Sequence, residues 1–273
     1  MHISNFSHTV QKGRRRRSSA MAAQVLILLL LSAGFSLSWA APDRVELQDI
    51  VVFGASLSDV GNDKAAIPGI TQAPYFEGRF SNGPVWHEVM AERLGLPPAS
   101  VPSLLGGNNY AFGGAEVGPG VAELIGVPNV GTQIDIYLFT QAGLGQLPIP
   151  ADTLYIVASA GGNNLIPPGL PQEPEDIVGH IENHVMTLAE AGARHFLVPN
   201  FFDIDQAPFN VPLLVSPAWL PPGVPNQEAA DDILARADEL NRKLRSALPR
   251  LERRLDRAYG GVTISLVDMF TTT

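Results

Sequence analysis

"DIVVFGASLSDVGND", residues 49–63, opens with an apolar, β-branched run that Gly54 halts, and then passes into a loop of small residues around Ser56. The run reads as a short, fully buried strand, and the loop as its exit. Two later stretches repeat this pattern of a strand emptying into glycine: "NNYAFGGAEVG", residues 108–118, and "TLYIVASAGGNNL", residues 153–165. "RHFLVPNF", from Arg194, and "VTISLVDMF", from Val262, also read as strands.

Helical patterns lie between the strands. Pro84 and Gly95 bound a predicted helix over 84–94, with Val85, Val89, Met90 and Leu94 assigned to its apolar face. "VGTQIDIYLFTQAG" predicts another over 130–143, and Ile177, Ile181, Val185 and Leu188 recur at helical spacing in a third. After a Pro-rich loop at 208–225, Ile233, Ala237, Leu240, Leu244, Leu248, Leu251 and Leu255 mark a long amphipathic helix, with a kink expected at Pro249. Strands alternating with long helices predict an α/β fold whose parallel sheet is covered on both faces. Sites in such folds form outside the carboxyl ends of the strands. The exits Gly54–Ser58, Gly113–Ala115 and Gly161–Asn164 therefore belong together.

The chain has 273 residues, 45% of them hydrophobic, with no internal repeat, which is enough for one sizeable core. Its start differs in kind: "KGRRRR" at 12–17 precedes the apolar run "VLILLLLSAGFSL" and then "SWAAP". Basic, apolar and small-residue parts in that order predict a signal peptide over 1–40, cut after Ala40, and export of residues 41–273 to a secreted or periplasmic location. An uncleaved membrane anchor is the competing reading. Removal of Lys12 and Arg14–Arg17, five cations, takes the net charge from −9 to −14. A body this acidic disfavours nucleic acid and anionic membrane surfaces as partners, and no stable membrane insertion is expected after cleavage. The absence of cysteine excludes disulfides, thiolate metal sites and a thiol nucleophile.

A serine hydroxyl attacks a carbonyl only when a base takes its proton and aimed donors hold the resulting anion. Ser56 at a strand exit, a glycine-loop amide and an asparagine amide are groups of that kind. "FGASLSDVGN" resembles the first block, FGDSLSDxGN, of the GDSL esterases and lipases of the SGNH hydrolase superfamily. "GRFSNGPVW", "NYAFGGA", "GGNN" and "AGARHFLVPN" are similar to family segments in the same order, so the resemblance covers most of residues 49–273. It implies a three-layer α/β/α sandwich with a parallel, flavodoxin-like sheet. It further implies ester hydrolysis through an acyl-enzyme, with a small-molecule or lipid ester as substrate and no cofactor or metal. Ser56 matches the nucleophile. Gly114, with Gly113 one residue away, matches the second-block glycine, and Asn163 matches the amide that completes the oxyanion hole.

Three departures accompany the resemblance. Ala55 stands where the family has Asp, Asn164 stands where it usually has Asp, and no DxxH occurs anywhere before Thr273. That block carries the family's catalytic Asp and His, so the chain reads as lacking its C-terminal segment and turnover is expected to be impaired. Asp268 reads as a strand-end residue. The other histidines offer no ready base: His87 is assigned to a solvated helix face, His180 and His184 to a surface pair, and His195 to the amino end of a strand. Asp59 and Asp63 read as loop-capping carboxylates. A non-catalytic, ligand-binding protein on the same scaffold is the alternative.

Overall fold

The computed structural model describes residues 46–123, 125–158, 162–165, 172–201 and 227–269. The predicted leader over 1–40 with its cut after Ala40, and the Pro-rich loop at 208–225, lie outside the described residues. Strands β1 (Asp49–Phe53), β2 (Thr153–Val157), β3 (His195–Pro199) and β4 (Thr263–Val267) form one parallel sheet in the order β1-β2-β3-β4. Between them run α1 (Asn62–Ala66), α2 (Trp86–Leu94), α3 (Val130–Gly143), α4 (Gly162–Leu165), α5 (Pro174–Ala191) and α6 (Gln227–Tyr259).

A fifth, strand-like segment lies along the other side of β1. The Val52 N–H donates to Asn108 O at 3.0 Å, Tyr110 N–H to Val52 O at 2.7 Å, and Phe112 N–H to Gly54 O at 3.1 Å, with Val52 and Asn109 bridged in parallel. Counting residues 108–112 as second in the chain, the order across the sheet is 2-1-3-4-5. That is the flavodoxin-like, doubly wound order, whose topological switch point lies between β1 and β2.

The alternation of each strand divides the core. Val51, Phe53, Tyr155, Val157, Phe196 and Val198 face a layer made by α3, α5 and α6. Ile50, Val52, Leu154, Ile156 and Leu197 face the opposite way, toward Ala91, Trp86 and Met90 of α2. Helices therefore cover both faces, giving the expected α/β/α layering. The stripe read along α6 is buried from Ala237 to Leu255, and Pro249 does not end that helix.

The apolar face assigned to α2 needs correction. Leu94 is 57% exposed and Val89 is 36% exposed, whereas His87, Glu88 and Ala91 are buried. Polar groups go inside here because each charge has a partner: Glu88 receives Arg79 Nη2 at 2.7 Å and the Val85 N–H at 2.9 Å. Among the described residues, no helix is long and apolar enough to cross a membrane.

Candidate active site

Ser56 is the first residue of a 3-10 turn, Ser56–Ser58, separated from the end of β1 by Gly54 and Ala55. Its approach is held from both sides. A Cβ on Gly54 would stand 3.0 Å from Ala158 Cβ, so β1 leaves the sheet tight against β2. The fully buried Gln133 accepts the Gly54 N–H at 2.9 Å and donates to Gly54 O at 2.9 Å and Pro128 O at 2.9 Å. Ser56 itself is half-buried, and its hydroxyl and amide make no hydrogen bond among the described residues.

The floor of this loop is a buried polar network. Asp59 accepts N–H groups from Gly61 and Asn62 at 2.7 Å each, from Asp63 at 3.2 Å and from Gly113 at 3.4 Å. Asn62 donates to Asn109 O and Ala111 O, and accepts from Ser103 and the Leu104 amide. Ser58 O receives Asn109 Nδ2 at 2.8 Å and His87 Nε2 at 3.0 Å, while its hydroxyl receives Trp86 Nε1 at 3.1 Å. The serine loop, the edge segment and α2 thus form one hydrogen-bonded unit.

Asp59 caps its loop as expected, although burial still raises its carboxyl above the ordinary range against those four amides. Asp63 does not cap. It is fully buried, neither carboxylate oxygen has a hydrogen-bond partner, and burial with the adjacent Asp59 charge pushes it up to about 7. An unpaired buried carboxylate favours its neutral form.

The two glycines of the second exit have different duties. The Gly113 N–H is spent on Asp59, and a Cβ there would meet Phe80 Cε2 at 2.4 Å and Asp63 Oδ2 at 2.5 Å. Gly114 has φ +79°, and its N–H has no partner among the described residues. Hydrogen-bond accounting therefore leaves Gly114, rather than Gly113, as the available donor.

The third exit binds the second. Asn163 Nδ2 donates to Ala115 O at 2.7 Å, which uses one of its two N–H groups and leaves the other. Asn164 Oδ1 accepts the Val117 N–H at 3.0 Å, His184 Nε2 lies 2.6 Å from Val117 O, and Asn129 Oδ1 accepts the Glu116 N–H at 2.8 Å. Ser56, Gly114 and Asn163 thus follow three neighbouring strands, around the switch point.

Two histidine readings are overturned. His87 is fully buried instead of solvated, and burial lowers its pKa; its ring locks Ser58 because Ser58 O needs a buried donor. His184 is 7% exposed and anchors Val117, so it is no surface residue; its ring stacks on His180 with centroids 6.3 Å apart. His195 opens β3 at the amino end and lies 2.9 Å from Thr263 Oγ1, and Asp268 receives Asn200 Nδ2 at 2.7 Å at the ends of β4 and β3. None of these histidines hydrogen-bonds Ser56. Among the described residues, no group of three His, Cys, Asp or Glu side chains is placed to hold a metal. Gln133 and Asn109 were not legible as site residues. Their partners lie 79 and 51 residues away, and no local spacing marks them.

The family model described as GDSL-like lipase/acylhydrolase matches residues 50–273. The chain is similar to a thermolabile hemolysin of Vibrio parahaemolyticus, 32% identical over 62% of this chain and 37% of the hemolysin. It is also similar to a GDSL esterase/lipase of Arabidopsis thaliana, 30% identical over 71% of this chain and 63% of that protein. A segment covering 20% of the chain is 51% identical to 17% of a phosphatidylcholine-sterol acyltransferase of Aeromonas hydrophila. The chain thus spans less than two thirds of these relatives' own lengths. A solved carbohydrate esterase aligns over 84% of this chain and 60% of its own, at 10% identity and a TM-score of 0.35.

Proposed function

The chain belongs to the GDSL-like lipase and acylhydrolase family, and from that premise we propose that it is an exported serine hydrolase of carboxylic esters with Ser56 as nucleophile. The observation that carries this reading is the set of donors left over at the three strand exits: the Ser56 N–H, the Gly114 N–H and the second N–H of Asn163. The adjacent Gly113 N–H, by contrast, is spent on Asp59. Ser56 Oγ attacks the carbonyl carbon, and the three donors hold the tetrahedral oxyanion. Collapse breaks the ester C–O bond, the alcohol leaves with a proton, and water then releases the acid from Ser56. Relatives named as lipases and as a phosphatidylcholine-sterol acyltransferase favour acyl esters of lipids as substrates.

The proton on Ser56 needs an acceptor, and no described histidine is hydrogen-bonded to that hydroxyl. Turnover by these 273 residues is therefore weak in this proposal. The apolar run ahead of Ala41 is the observation behind export. Hydrolysis of a short p-nitrophenyl ester by the protein, beside Ser56→Ala, tests the assignment, and N-terminal sequencing of the exported form tests cleavage before Ala41. Slow hydrolysis abolished by Ser56→Ala is the expected result. Activity that survives the substitution removes Ser56 from the mechanism. A folded protein that binds esters and never cleaves them instead supports the second reading, a non-catalytic binder, which Ala55 and the lack of a histidine bonded to Ser56 among the described residues favour.

A further inference from the structure

The cations of this chain are gathered on one helix. Residues 41–273 hold thirteen, and seven of them fall between Arg242 and Arg257 of α6, where Glu252 and Asp256 are the only acids. Everything else in 41–273 carries six cations against twenty-five acids. At about 100° per residue, Arg242, Arg250, Arg253, Arg254 and Arg257 share a sector of about 120° along about four turns of helix, and both acids fall outside it. Leu244, Leu248, Leu251 and Leu255 are buried on the other side of α6, so the sector faces outward. All five arginines are exposed.

These charges are not neutralised within the fold. Lys243 pairs with Glu175 and Glu239, and Arg245 stands 3.7 Å from Asp268. Among the described residues, none of the five arginines has a carboxylate oxygen within 4.0 Å. Their partners are neutral: Arg250 meets Ser246, Arg254 meets Met186, and Arg257 Nε donates to Arg253 O at 2.9 Å. A helix C-terminus favours cations only in its last turn, which accounts for Arg257 and leaves the other four. Tyr259, 39% exposed, and Arg194, whose guanidinium lies 5.4 Å from that ring, continue the surface past the end of α6. That end adjoins the starts of β3 and β4, whereas Ser56, Gly114 and Asn163 follow strand exits. The ridge is therefore no part of the serine site.

We propose that this ridge docks the protein peripherally on an anionic phospholipid bilayer. A guanidinium takes a phosphate through two parallel N–H···O bonds, and five of them on the outward face of a helix match a plane of phosphates better than one small anion. Tyr259 suits the headgroup level, where amphipathic rings collect. The net charge of −14 does not prevent this, because screening limits the reach of a charge to about 8–10 Å and local composition decides at contact. For this one face, the expectation that an acidic body avoids anionic membranes is reversed. The secretory pattern over residues 1–40 favours a membrane surface over nucleic acid as the polyanion. Docking of this kind is adsorption, with no segment crossing the bilayer.

Residues 45–273 form a compact unit of their own, so residues 41–273, free of the basic and apolar runs of the leader, are the sample. Sedimentation with vesicles measures docking without needing ester hydrolysis. Phosphatidylcholine vesicles with about one third phosphatidylglycerol bind the protein, pure phosphatidylcholine does not, and binding fades as salt rises from about 0.05 M to about 0.3 M. Arg253→Gln/Arg257→Gln weakens binding about 25-fold, about fivefold for each lost cation. Arg253→Glu/Arg257→Glu weakens it at least about a hundredfold. Lys64→Glu/Arg93→Glu makes the same change in net charge at exposed positions elsewhere and leaves binding within about twofold. Circular dichroism checks each fold, and if the Glu pair fails to fold, the Gln pair, which adds no acid, decides. Equal binding to both vesicle types, or equal losses in the two charge-reversal pairs, overturns the proposal. Ridge-dependent binding to duplex DNA with none to vesicles overturns it too, and assigns the ridge to nucleic acid.

Discussion

Gln133 and Gly54 form a closed pair, the side-chain amide of one hydrogen-bonded to both the N–H and the carbonyl of the other, across 79 residues of chain. The pair fixes the last peptide of β1 before the serine loop, and its own second proton reaches Pro128. Gln133→Met keeps the volume and leaves these buried groups without partners. At about 1–3 kcal/mol per orphaned buried group, partly offset by relaxation, the expected loss is about 2–4 kcal/mol in urea unfolding. Gln133→Glu loses more, since it adds a buried charge and keeps only the acceptor. A loss below about 0.5 kcal/mol in both variants would show that the clasp is not structural.

Asp63 makes stability depend on pH in an unusual direction. Burial and the Asp59 charge raise it from the ordinary 3.8 to about 7, so between those values the folded state holds a proton that the unfolded chain has released. Stability from this group is therefore complete below about pH 4 and falls as pH rises through 7. The buried His87 and His184, both lowered by burial, act oppositely by losing stability on acidification below 6.5. Asp63→Asn removes the first effect and leaves the second. The stability of Asp63→Asn relative to the parent should increase between pH 4 and pH 8, with a ceiling of about 4 kcal/mol at about 1.4 kcal/mol per pH unit. Thermal unfolding of both proteins across that range measures the difference, and parallel curves would mean that Asp63 ionises normally.

Periodicity made most of the architecture readable. The Ile177–Leu188 and Ala237–Leu255 stripes are buried, and the glycine-stopped apolar runs are the strands. The strand exits were legible because glycine and asparagine are needed where the backbone turns sharply. The α2 face was misread for a physical reason: a pattern of residue types assigns Glu88 and His87 to solvent, and only Arg79 and Ser58, distant in sequence, make their burial affordable. The same holds for His184, whose partner Val117 lies 67 residues away. Pairwise partners of buried polar groups are tertiary facts, and spacing along one helix does not encode them.

The Arg79–Glu88 pair is the clearest of these. Its side chains are 9% and 8% exposed, Nη2 and Oε1 are 2.7 Å apart, and Nε lies 3.3 Å from Oε2. Burial works against the Glu88 charge, yet the hydrogen bonds from Arg79 and the Val85 amide hold its carboxyl below the usual range. Removing one partner strands the other. Glu88→Gln or Arg79→Met should cost about 3–5 kcal/mol, while the double variant Arg79→Met/Glu88→Leu should recover much of that loss. Denaturant unfolding of the three variants measures the coupling, and additive losses would argue against a buried pair.

Gly113 and Gly114 are adjacent, but the structure demands glycine at each for a different reason, which separates their substitutions. Alanine at 113 drives its Cβ to within 2.4 Å of the half-buried Phe80 ring and 2.5 Å of the carboxylate oxygen Oδ2 of the fully buried Asp63. Alanine at 114 pays for φ +79° and meets Ile125 Cδ1 at 2.6 Å, the far end of a half-buried side chain. Gly114→Ala should therefore cost about 1–2 kcal/mol of strain plus a clash that Ile125→Val relieves in part. Gly113→Ala should cost more and gain nothing from Ile125→Val. Thermal melts of the two alanine variants, each with and without the Ile125 change, give the comparison. Rescue of Gly113→Ala by Ile125→Val would contradict the packing described here.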